Sequence, residues 1–319
     1  GNAYTLETNG TSVSASSYNI TSISNVAGLT ASAGTPVTGN GFAADELIDD
    51  AWTNQTGAQA DIIYTVVPVS SAGCQGTSFT VTVSVDPEPA TTVSSTEAAV
   101  CSDVALGYTL STAGASTYTI STNSNGLIQS GGTVSAGSGK ASNELADDAW
   151  TNPTTLAVDV VYTITPVSAA GCAGDEFTVT FPIDPEPVGA DDALSVCSNT
   201  GALGYDLQLD NIDALGNGLG SDFVWLAADN ANVSGETTVL QSTGVINDNL
   251  INVTSVNQQV VYTITPTGSV AGCDGDSFTL TVTVEPEPVG VALSGTLCSD
   301  EVLGNAYTLE TNGTSVSAS

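Results

Sequence analysis

The feature that most constrains this chain is an internal repeat. The segment ELIDDAWTN at residues 46–54 returns as ELADDAWTN at residues 144–152. The segment IIYTVVPVSSAGCQG from Ile62 returns as VVYTITPVSAAGCAG from Val160 and as VVYTITPTGSVAGCDG from Val260. Self-similarity of this kind is typical of proteins built from tandem copies of one structural module. The sequence therefore predicts three successive units.

A second repeated motif marks the start of each unit. It reads CSDVALGYTLST from Cys101, CSNTGALGYDLQL from Cys197 and CSDEVLGNAYTLET from Cys298. Residues 304–319 are identical to residues 1–16, so we expect the parent protein to be a long array; the alternative is a sequence window that overlaps itself by chance. The predicted units are 1–89, with a truncated opening strand, 90–188 and 189–289, followed by the start of another at 290–319.

The repeated segments have the period of β-strands. Residues 79–85 alternate apolar and hydroxyl side chains, which predicts a strand with one face in a core. The run around Tyr162 alternates in the same way, and a Gly-Cys-x-Gly turn at residues 171–174 joins it to the next run, which predicts a hairpin. Shorter runs at residues 108–111 and 118–121 are also predicted as strands. No helical period is convincing, so we predict an all-β, elongated array of tandem Ig-like Greek-key β-sandwiches.

The charge of the chain excludes several functions. Asp and Glu number 34, against one cationic residue, Lys140, and no histidine, which gives a formal charge of −33. Nucleic acid is excluded as a partner because phosphate binding needs cationic side chains. Without histidine there is no Ser-His-Asp triad and no histidine metal ligand. A carboxylate-only mechanism would need a pocket around acids such as Asp147 and Asp148, and the sequence gives no sign of one. We therefore predict no catalytic residues and no enzyme activity.

The cysteine content and the lack of a membrane segment indicate the compartment. No apolar run is long enough to span a bilayer, so we expect no direct membrane insertion. Neither an initial Met nor a signal peptide is present, and we interpret the chain as an internal or mature fragment. The six cysteines have no zinc-type spacing. This pattern favours structural disulfides in an oxidising, extracellular setting.

Two cysteine positions recur in each unit, one at the opening and one in the late hairpin turn. We expect each complete unit to be closed by its own pair, Cys101 with Cys172 and Cys197 with Cys273. Cys74 and Cys298 would then bond to partners outside the segment. A bridge from a hairpin turn to the next opening, such as Cys172 with Cys197, is the alternative, because sequence alone does not fix connectivity.

Acidic residues lie between prolines where one unit meets the next, in the motifs DPEP, DPEP and EPEP at residues 86–89, 184–187 and 285–288. One interpretation is a calcium clamp, because carboxylates are hard oxygen ligands. The alternative is solvated charge that keeps neighbouring chains apart. Apart from calcium, no cofactor is expected. Its candidate ligands are Asp86, Glu88, Asp184, Glu186, Asp191 and Asp192.

The three tryptophans, Trp52, Trp150 and Trp225, have two readings. Exposed, they would be aromatic platforms for a sugar, but a packing role in the core or at its rim is favoured. Asn54 and Asn252 match the N-x-Ser/Thr pattern of glycosylation, yet such matches arise by chance in so Thr-rich a chain.

The motifs VYTITP, Gly-Cys-x-Gly, TVTV and Pro-Glu-Pro, together with the Cys-Ser opening at Cys101, Cys197 and Cys298, resemble the PKD-like repeats of giant secreted adhesins of the Bacteroidota, in particular gliding-motility adhesins of the SprB type. The resemblance covers all three units. It implies a very long filament exported by the type IX secretion system and located on the bacterial cell surface, associated with the outer membrane. It transfers no catalytic residues.

The function expected from the sequence is a structural and adhesive segment of a long secreted cell-surface filament, involved in surface adhesion and gliding motility. Its expected partners are neighbouring repeats of the same chain and an extracellular surface or polysaccharide. The alternatives are an array of carbohydrate-binding modules, for which exposed aromatics would be the discriminating feature, and a static surface-coat stalk.

Overall fold

The computed structural model describes residues 4–133, 136–288, 290–300 and 302. Its strands form separate groups, one for each sequence repeat. In the described residues the only helical element is a single π-helical turn at Gln208–Ile212. None of the described helical residues form a helix long and apolar enough to cross a membrane. The predicted all-β fold of tandem Ig-like sandwiches is confirmed.

The first unit contains six described strands. They are β1 (Ser17–Asn25), β2 (Leu29–Ala33), β3 (Gly39–Phe42), β4 (Ala51–Asn54), β5 (Ala60–Val69) and β6 (Phe79–Val85). The main sheet has the order β3-β1-β5-β6 and is antiparallel, and β2 and β4 form a separate two-stranded ribbon. The outer edge of β6 pairs with no other described strand.

The second unit has the same plan with additional edge strands. Its strands are β7 (Ser95–Thr96), β8 (Val100–Cys101), β9 (Ala115–Asn123), β10 (Ile128–Gly131), β11 (Gly137–Lys140), β12 (Ala149–Thr151), β13 (Val158–Ser168) and β14 (Phe177–Asp184). The main sheet runs β11-β9-β13-β14-β7, and β8 also pairs with β14. Both opening strands run parallel to β14, so the start of the unit closes the edge of its last strand.

The third unit also begins with a parallel edge strand. Its strands are β15 (Asp192–Cys197), β16 (Tyr205–Asp206), β17 (Ser221–Ala227), β18 (Val233–Ser234), β19 (Val245–Ile246), β20 (Ile251–Asn252), β21 (Gln258–Gly268) and β22 (Phe278–Glu285). The main sheet runs β15-β22-β21-β17. The π-helical turn follows β16, where the carboxylate of Asp206 accepts hydrogen bonds from the N–H groups of Gln208 (3.0 Å) and Leu209 (3.1 Å).

The cores follow directly from the period-2 pattern. In β14, Phe177, Val179, Phe181 and Ile183 are buried, while the residues between them are partly exposed. The same alternation buries one face of β22. Each unit has its own buried cluster of Val, Ile, Leu and aromatic side chains. The predicted hairpin around the Gly-Cys-x-Gly turn is confirmed by the antiparallel pairing of β13 with β14.

One local prediction is wrong. Residues 108–111 were expected to form a strand, but the structure has no ladder there. The segment is held by a single backbone hydrogen bond from the N–H of Leu110 to the carbonyl of Ser142, at 2.7 Å, and by packing of Tyr108 on Phe181. A short apolar run that packs on a core without a neighbouring strand has the sequence of a strand but not its pairing. The other short run, residues 118–121, does lie in β9.

Candidate functional site: the joint between units

The joints between units are built from the proline motif of one unit and the hairpin turn of the next. Pro89 and Pro187, the last prolines of the first two units, are buried, whereas Pro288 is exposed. A Cβ atom on Gly174 would lie 3.0 Å from the carbonyl oxygen of Pro89. A Cβ on Gly275 would collide with the carbonyl oxygen of Pro187. The last glycine of the Gly-Cys-x-Gly turn therefore packs directly against the proline motif of the preceding unit, where a side chain would not fit.

The first glycine of that turn has a different task. Gly171 has φ +86°, a left-handed conformation that glycine adopts without steric cost. The N–H of Gly171 donates to the carbonyl of Ser168 at 3.0 Å, and the N–H of Ser168 donates to the carbonyl of Cys172 at 2.9 Å. These bonds fix the cysteine at the tip of the hairpin, which faces the preceding unit.

The Cys-Ser opening has a recurring geometry of its own. Asp103, Asn199 and Asp300, each two residues after the cysteine, have φ of 62°, 57° and 69°. Asn and Asp tolerate this left-handed conformation better than other side chains. The hydroxyl oxygen of Ser102 accepts a hydrogen bond from the N–H of Asn152 at 2.9 Å, and the whole opening packs along the last strand of its own unit.

The structure contains a disulfide across the second joint. It joins Cys101, at the opening of the second unit, to Cys273, in the hairpin turn of the third, with a Cα–Cα distance of 5.6 Å. This pairing corrects the expected intradomain bridges from Cys101 to Cys172 and from Cys197 to Cys273. It also differs from the alternative bridge between Cys172 and Cys197.

The physical reason is the parallel direction of the opening strand. Cys101 pairs with Asp184 at the end of β14, whereas Cys172 precedes Phe177 at the start of that strand. Since a strand rises about 3.4 Å per residue, the two ends of β14 lie roughly 24 Å apart. A disulfide needs Cα atoms within about 7 Å of each other. The two cysteines of one unit therefore lie at opposite ends of it, and each faces a neighbouring unit.

The remaining cysteines are distributed in the same way. Cys74 and Cys172 lie in hairpin turns, and Cys197 and Cys298 lie at openings. Cys74 and Cys197 are exposed, and Cys172 is half-buried. In the structure, the only disulfide among the described residues is Cys101–Cys273. The bonding of Cys74 and Cys298 to partners outside the segment stays a prediction.

The structure spreads the predicted calcium ligands over separate hydrogen bonds. Asp86 accepts from Gln59, Asp191 accepts from the N–H and hydroxyl of Thr279, and Asp192 accepts from the hydroxyl of Tyr205. Asp184 lies in β14 opposite Cys101, while Glu88 borders a cavity of the first unit. Within the described part of the chain, no group of three or more His, Cys, Asp and Glu residues could hold a metal ion.

Two candidate ligands have a perturbed acidity: hydrogen bonds from Thr279 lower the pKa of Asp191, and the pKa of Glu186 is raised. Partial burial, a hydrogen bond with Asp103, and the charges of Asp103 and Asp276 raise the pKa of Glu186 to about 7. Burial opposes ionisation of Asp103 as well, but hydrogen bonds from Ser130, Thr151 and Glu186 outweigh it and lower the pKa of Asp103. Glu186 therefore holds its proton more tightly than an ordinary glutamate does.

A recurring asparagine ties the last strand of each unit to its second ribbon. The side-chain amide of Asn152 donates to the carbonyls of Leu156 (2.8 Å) and Ile183 (2.7 Å), and its oxygen accepts from the N–H of Thr154. Asn54 and Asn252 make the same set of bonds. Because both amide hydrogens are used and the side chains are buried, the N-x-Thr matches at Asn54 and Asn252 have a structural origin.

The tryptophans pack as the sequence predicts. Trp150 and Trp225 lie in the buried cores, and Trp52 is half-buried against the core of the first unit. The indole N–H of Trp150 donates to the hydroxyl of Tyr162 at 2.9 Å, which donates to the carboxylate of Asp148 at 2.7 Å. Burial and this bond hold the pKa of Tyr162 well above its ordinary value, so it remains a donor.

Sequence reasoning missed two features of the joint. It treated the turn glycines as turn residues only, although Gly174 and Gly275 also receive the preceding proline motif. It also passed over the asparagines as chance matches. The signal for them was present, because an Asn followed two residues later by Thr recurs at residues 54, 152 and 252 in front of the same strand.

The three units match one protein family. Residues 8–89, 98–187 and 195–288 each match the model of a PKD-like domain. No curated protein matches the chain in sequence.

The chain is also similar to solved fragments of cadherin-23, a protocadherin and titin. A mouse cadherin-23 fragment is 11% identical, with 89% of this chain and 96% of that chain covered and a TM-score of 0.25. A protocadherin gammaB7 cis-dimer structure is 14% identical, with 90% and 71% covered and a TM-score of 0.25. An I-band fragment of titin is 12% identical, with 86% and 89% covered and a TM-score of 0.32. At these TM-scores the likeness carries no argument about function.

Proposed function

Because the chain belongs to the PKD-like domain family and contains three tandem copies of that domain, we propose that it is a structural and adhesive segment of a long secreted cell-surface filament. Its role in this proposal is non-catalytic. Its immediate partners are the neighbouring repeats of the same chain.

The observation that carries the proposal is the construction of the joints. Each described joint buries the last proline of one unit against a glycine of the next, and the second joint adds the Cys101–Cys273 disulfide. Proline restricts the backbone of a linker. A chain whose units are held to one another in this way is suited to transmit position and force along its length rather than to let its units move independently.

The charge supports an extracellular, repeating surface structure. With a formal charge of −33 spread over three units, neighbouring filaments repel one another, which keeps them separate and soluble. The disulfide also favours an oxidising compartment. Both features agree with a filament displayed outside the cell.

The finer assignment rests on sequence resemblance. The VYTITP, Gly-Cys-x-Gly and Pro-Glu-Pro motifs support membership of the SprB-type gliding-motility adhesins. On this proposal the filament is exported by the type IX secretion system, is associated with the outer membrane, and contacts an extracellular surface or polysaccharide while the cell moves.

Antibody labelling of living source cells tests the proposal. An antibody against the three units is applied to unpermeabilised cells and followed by fluorescence microscopy, with a strain lacking the gene as the control. Surface signal that moves along the cell is expected. A fixed surface signal would contradict gliding and leave a static stalk. Signal only after permeabilisation would overturn the filament itself.

A glycan array with the whole chain separates adhesion by these repeats from adhesion elsewhere in the parent protein. The proposal expects no saturable binding to a single defined sugar by the tryptophan-bearing cores, since Trp150 and Trp225 are buried. Saturable binding that is lost in a Trp52→Ala variant would instead support an array of carbohydrate-binding modules.

A further inference from the structure

The third unit exposes apolar side chains on the face of its main sheet that points away from the core. In β17, Phe223 and Trp225 are buried, whereas Val224 and Leu226 are exposed. Because side chains alternate along a strand, Val224 and Leu226 lie on the same outward face. Two neighbouring apolar side chains of this strand therefore face water.

The segment next to β17 enlarges this apolar surface. Gln241 forms an antiparallel bridge with Trp225, through backbone hydrogen bonds of 3.0 Å and 2.8 Å. Residues opposite each other in an antiparallel pair project to the same face, so Leu240 lies beside Leu226. Leu240 is 61% exposed, and the preceding Val239 is 71% exposed. These apolar residues are named the edge patch, which consists of Val224, Leu226, Val239 and Leu240.

The other units have polar residues at the places that correspond to β17. The residue opposite the first threonine of the repeated Tyr-Thr run is Ser22 in the first unit, Ser121 in the second and Leu226 in the third. Two residues earlier on the strand, Val224 corresponds to Thr119 of the second unit. The apolar face is thus a feature of the third unit rather than of the repeat.

The segments that cover this edge of the sheet also differ between units. In the first two units the edge is covered by β3 and β11, whose sequences are GNGF and GSGK. Glycine weakens a strand, and the charge of a lysine is costly to bury, so both discourage further pairing at a sheet edge. The third unit has TTVLQ at residues 237–241 instead. Its edge therefore consists of residues that favour pairing.

Backbone groups of the same segment are available for binding. Residues 238–240 are exposed, and within the described part of the chain their N–H groups donate to no other group. Unpaired N–H groups at the edge of a sheet are a template on which an extended polypeptide can add. A peptide bound there would combine backbone hydrogen bonds with apolar contacts to the edge patch.

Carboxylates flank the edge patch. Asp222 lies on the outward face of β17, two residues before Val224, and Asp229 follows the other end of the strand; both are exposed. One carboxylate oxygen of Glu236 accepts from the N–H of Asn230 at 3.2 Å, and the other is buried with no hydrogen-bond partner in the described structure. These charges favour a partner with Lys or Arg beside its apolar residues.

The charge of the chain argues against two other occupants of the edge patch. A second copy of the chain has 34 acidic residues and one cationic residue, so its approach would bring carboxylates next to carboxylates. An anionic membrane surface would be repelled for the same reason. A basic polypeptide is attracted instead, and its carbonyl groups can accept from the free N–H groups of residues 238–240.

We propose that the edge patch is a docking site for an extended segment of another protein, in which apolar and polar side chains alternate and Lys or Arg residues flank them. The segment pairs its backbone with residues 238–240 and packs its apolar side chains on Leu226 and Leu240. Its flanking cations lie near Asp222 and Glu236. The inference goes beyond the proposed function, because it concerns a partner other than the neighbouring repeats or the surface that the filament touches.

Synthetic peptides test the docking site on the full chain. The probe is dye-labelled KKTVTVTVKK, and its control is KKTSTSTSKK, which has the same charge but no valine. A chain with a charge of −33 attracts both peptides, so the quantity of interest is the ratio of their dissociation constants, measured by fluorescence anisotropy. The valine peptide should bind roughly tenfold more tightly, because its apolar side chains are removed from water. The peptide EETVTVTVEE should not bind measurably.

Variants of the chain locate the binding. Leu226→Ser and Leu240→Ser, combined in one chain, should abolish the preference for the valine peptide and leave the affinity for the serine peptide unchanged. Both leucines are exposed, and serine occupies the position of Leu226 in the first two units, so we expect the fold to be kept, which thermal unfolding checks. Leu156→Ser is the matched control, because Leu156 is an exposed leucine of the second unit. It should leave the preference intact.

Several results would overturn the proposal. Equal affinities of the unsubstituted chain for the valine and serine peptides would leave only general attraction to its charge. Binding of EETVTVTVEE as tight as that of KKTVTVTVKK would remove the role of the carboxylates. A dimer in sedimentation that the paired serine substitutions abolish would assign the edge patch to a second copy of the chain. Flotation with phosphatidylcholine vesicles that is lost in the same variant would assign it to lipid.

Discussion

The first and second units are close in sequence but differ in how completely they are closed. Trp150 is 7% exposed and Asp148 is 1% exposed, whereas their counterparts Trp52 and Asp50 are only half-buried. The difference lies in the opening strands, which cover the edge of β14 in the second unit and have no described counterpart beside β6. The second unit is therefore completed by a short segment that precedes most of its own fold.

The third unit shows that the closing strand matters more than the individual core residues. Its counterpart of Trp150 is Leu250, and the indole comes instead from Trp225 on another strand, which packs on Tyr262 with ring centroids 5.8 Å apart. The bond from the Tyr262 hydroxyl to Asp248 is kept at 2.8 Å. The core can be refilled from elsewhere, while the parallel edge strand and the tyrosine–aspartate pair are retained.

The largest effect on stability is expected from removing the disulfide at the second joint. Cys101→Ser, which removes the only disulfide found in the described residues, should lower the free energy of unfolding of the third unit by roughly 4 kcal/mol. The first unit should be unaffected. Each unit has one tryptophan, so denaturant unfolding of variants that keep only Trp52 or only Trp225 reports the two units separately.

Cys74→Ser is the control for this change, because Cys74 lies in the hairpin turn equivalent to that of Cys273, the partner of Cys101, but in no disulfide. It should leave both transitions unchanged. An equal loss from both substitutions would remove the distinction between the joints.

The next prediction compares truncation of core residues on the last strands of the second and first units. Ile183→Ala should cost about 3 kcal/mol, since Ile183 is fully buried on the strand that pairs with β8 and the substitution leaves a cavity. Val85→Ala, at the corresponding position of the first unit, should cost only about 1 kcal/mol because the side chain is already half-exposed. The measurement is the unfolding midpoint from Trp150 and from Trp52. Equal costs would mean that the first unit is as closed as the second.

A smaller effect comes from the buried tyrosines. Tyr162→Phe removes the hydroxyl that donates to the buried Asp148 and should cost about 2 kcal/mol. Tyr64→Phe removes the same bond to Asp50, at 2.8 Å, but water reaches that carboxylate, so the cost should be about 1 kcal/mol. Hydrogen exchange of β13 and β5, followed by mass spectrometry, distinguishes the two. A larger loss in the first unit would contradict this order.

The smallest effect is a pH dependence at the second joint. The folded-state pKa of Glu186 is about 7, above its ordinary value of 4.5. The folded protein therefore binds this proton more tightly than the unfolded chain does. Ionised Glu186 destabilises the joint above pH 7, and this destabilisation decreases as the pH falls from 7 toward 4.5. Discounted for its exposure, the change is on the order of 1 kcal/mol.

Thermal unfolding of Glu186→Gln at pH 8 and pH 5 isolates this contribution from the general decrease of negative charge on acidification. The substitution should raise the unfolding temperature at pH 8 more than at pH 5. Glu88→Gln, the counterpart at the first joint, where no described residue corresponds to Asp103, provides the comparison. The same pH response in both variants would show that the carboxyl pair is not responsible.

The sequence predicts the parts of this fold that have a local period. Alternation in residues 79–85 and around Tyr162 is sufficient for the hairpins, because one face of each strand must enter a core. The disulfide is different. Its connectivity depends on the opening strand lying parallel to the last strand, and no local pattern states which direction an edge strand takes. A calcium site likewise requires several acidic side chains to lie close together. The composition of the linkers does not determine the distances between them.

The Cys101–Cys273 bond changes how the chain responds to tension. A pull applied to the two ends reaches Cys101 and crosses directly to Cys273, so the intervening backbone, with a sequence separation of 172, carries no load. That stretch would otherwise lengthen by up to about 600 Å if it were pulled straight. Most of the second unit and the larger part of the third are thereby shielded, and overstretching is confined to the segments outside the bridge. A single covalent bond thus limits how far the chain can extend under tension.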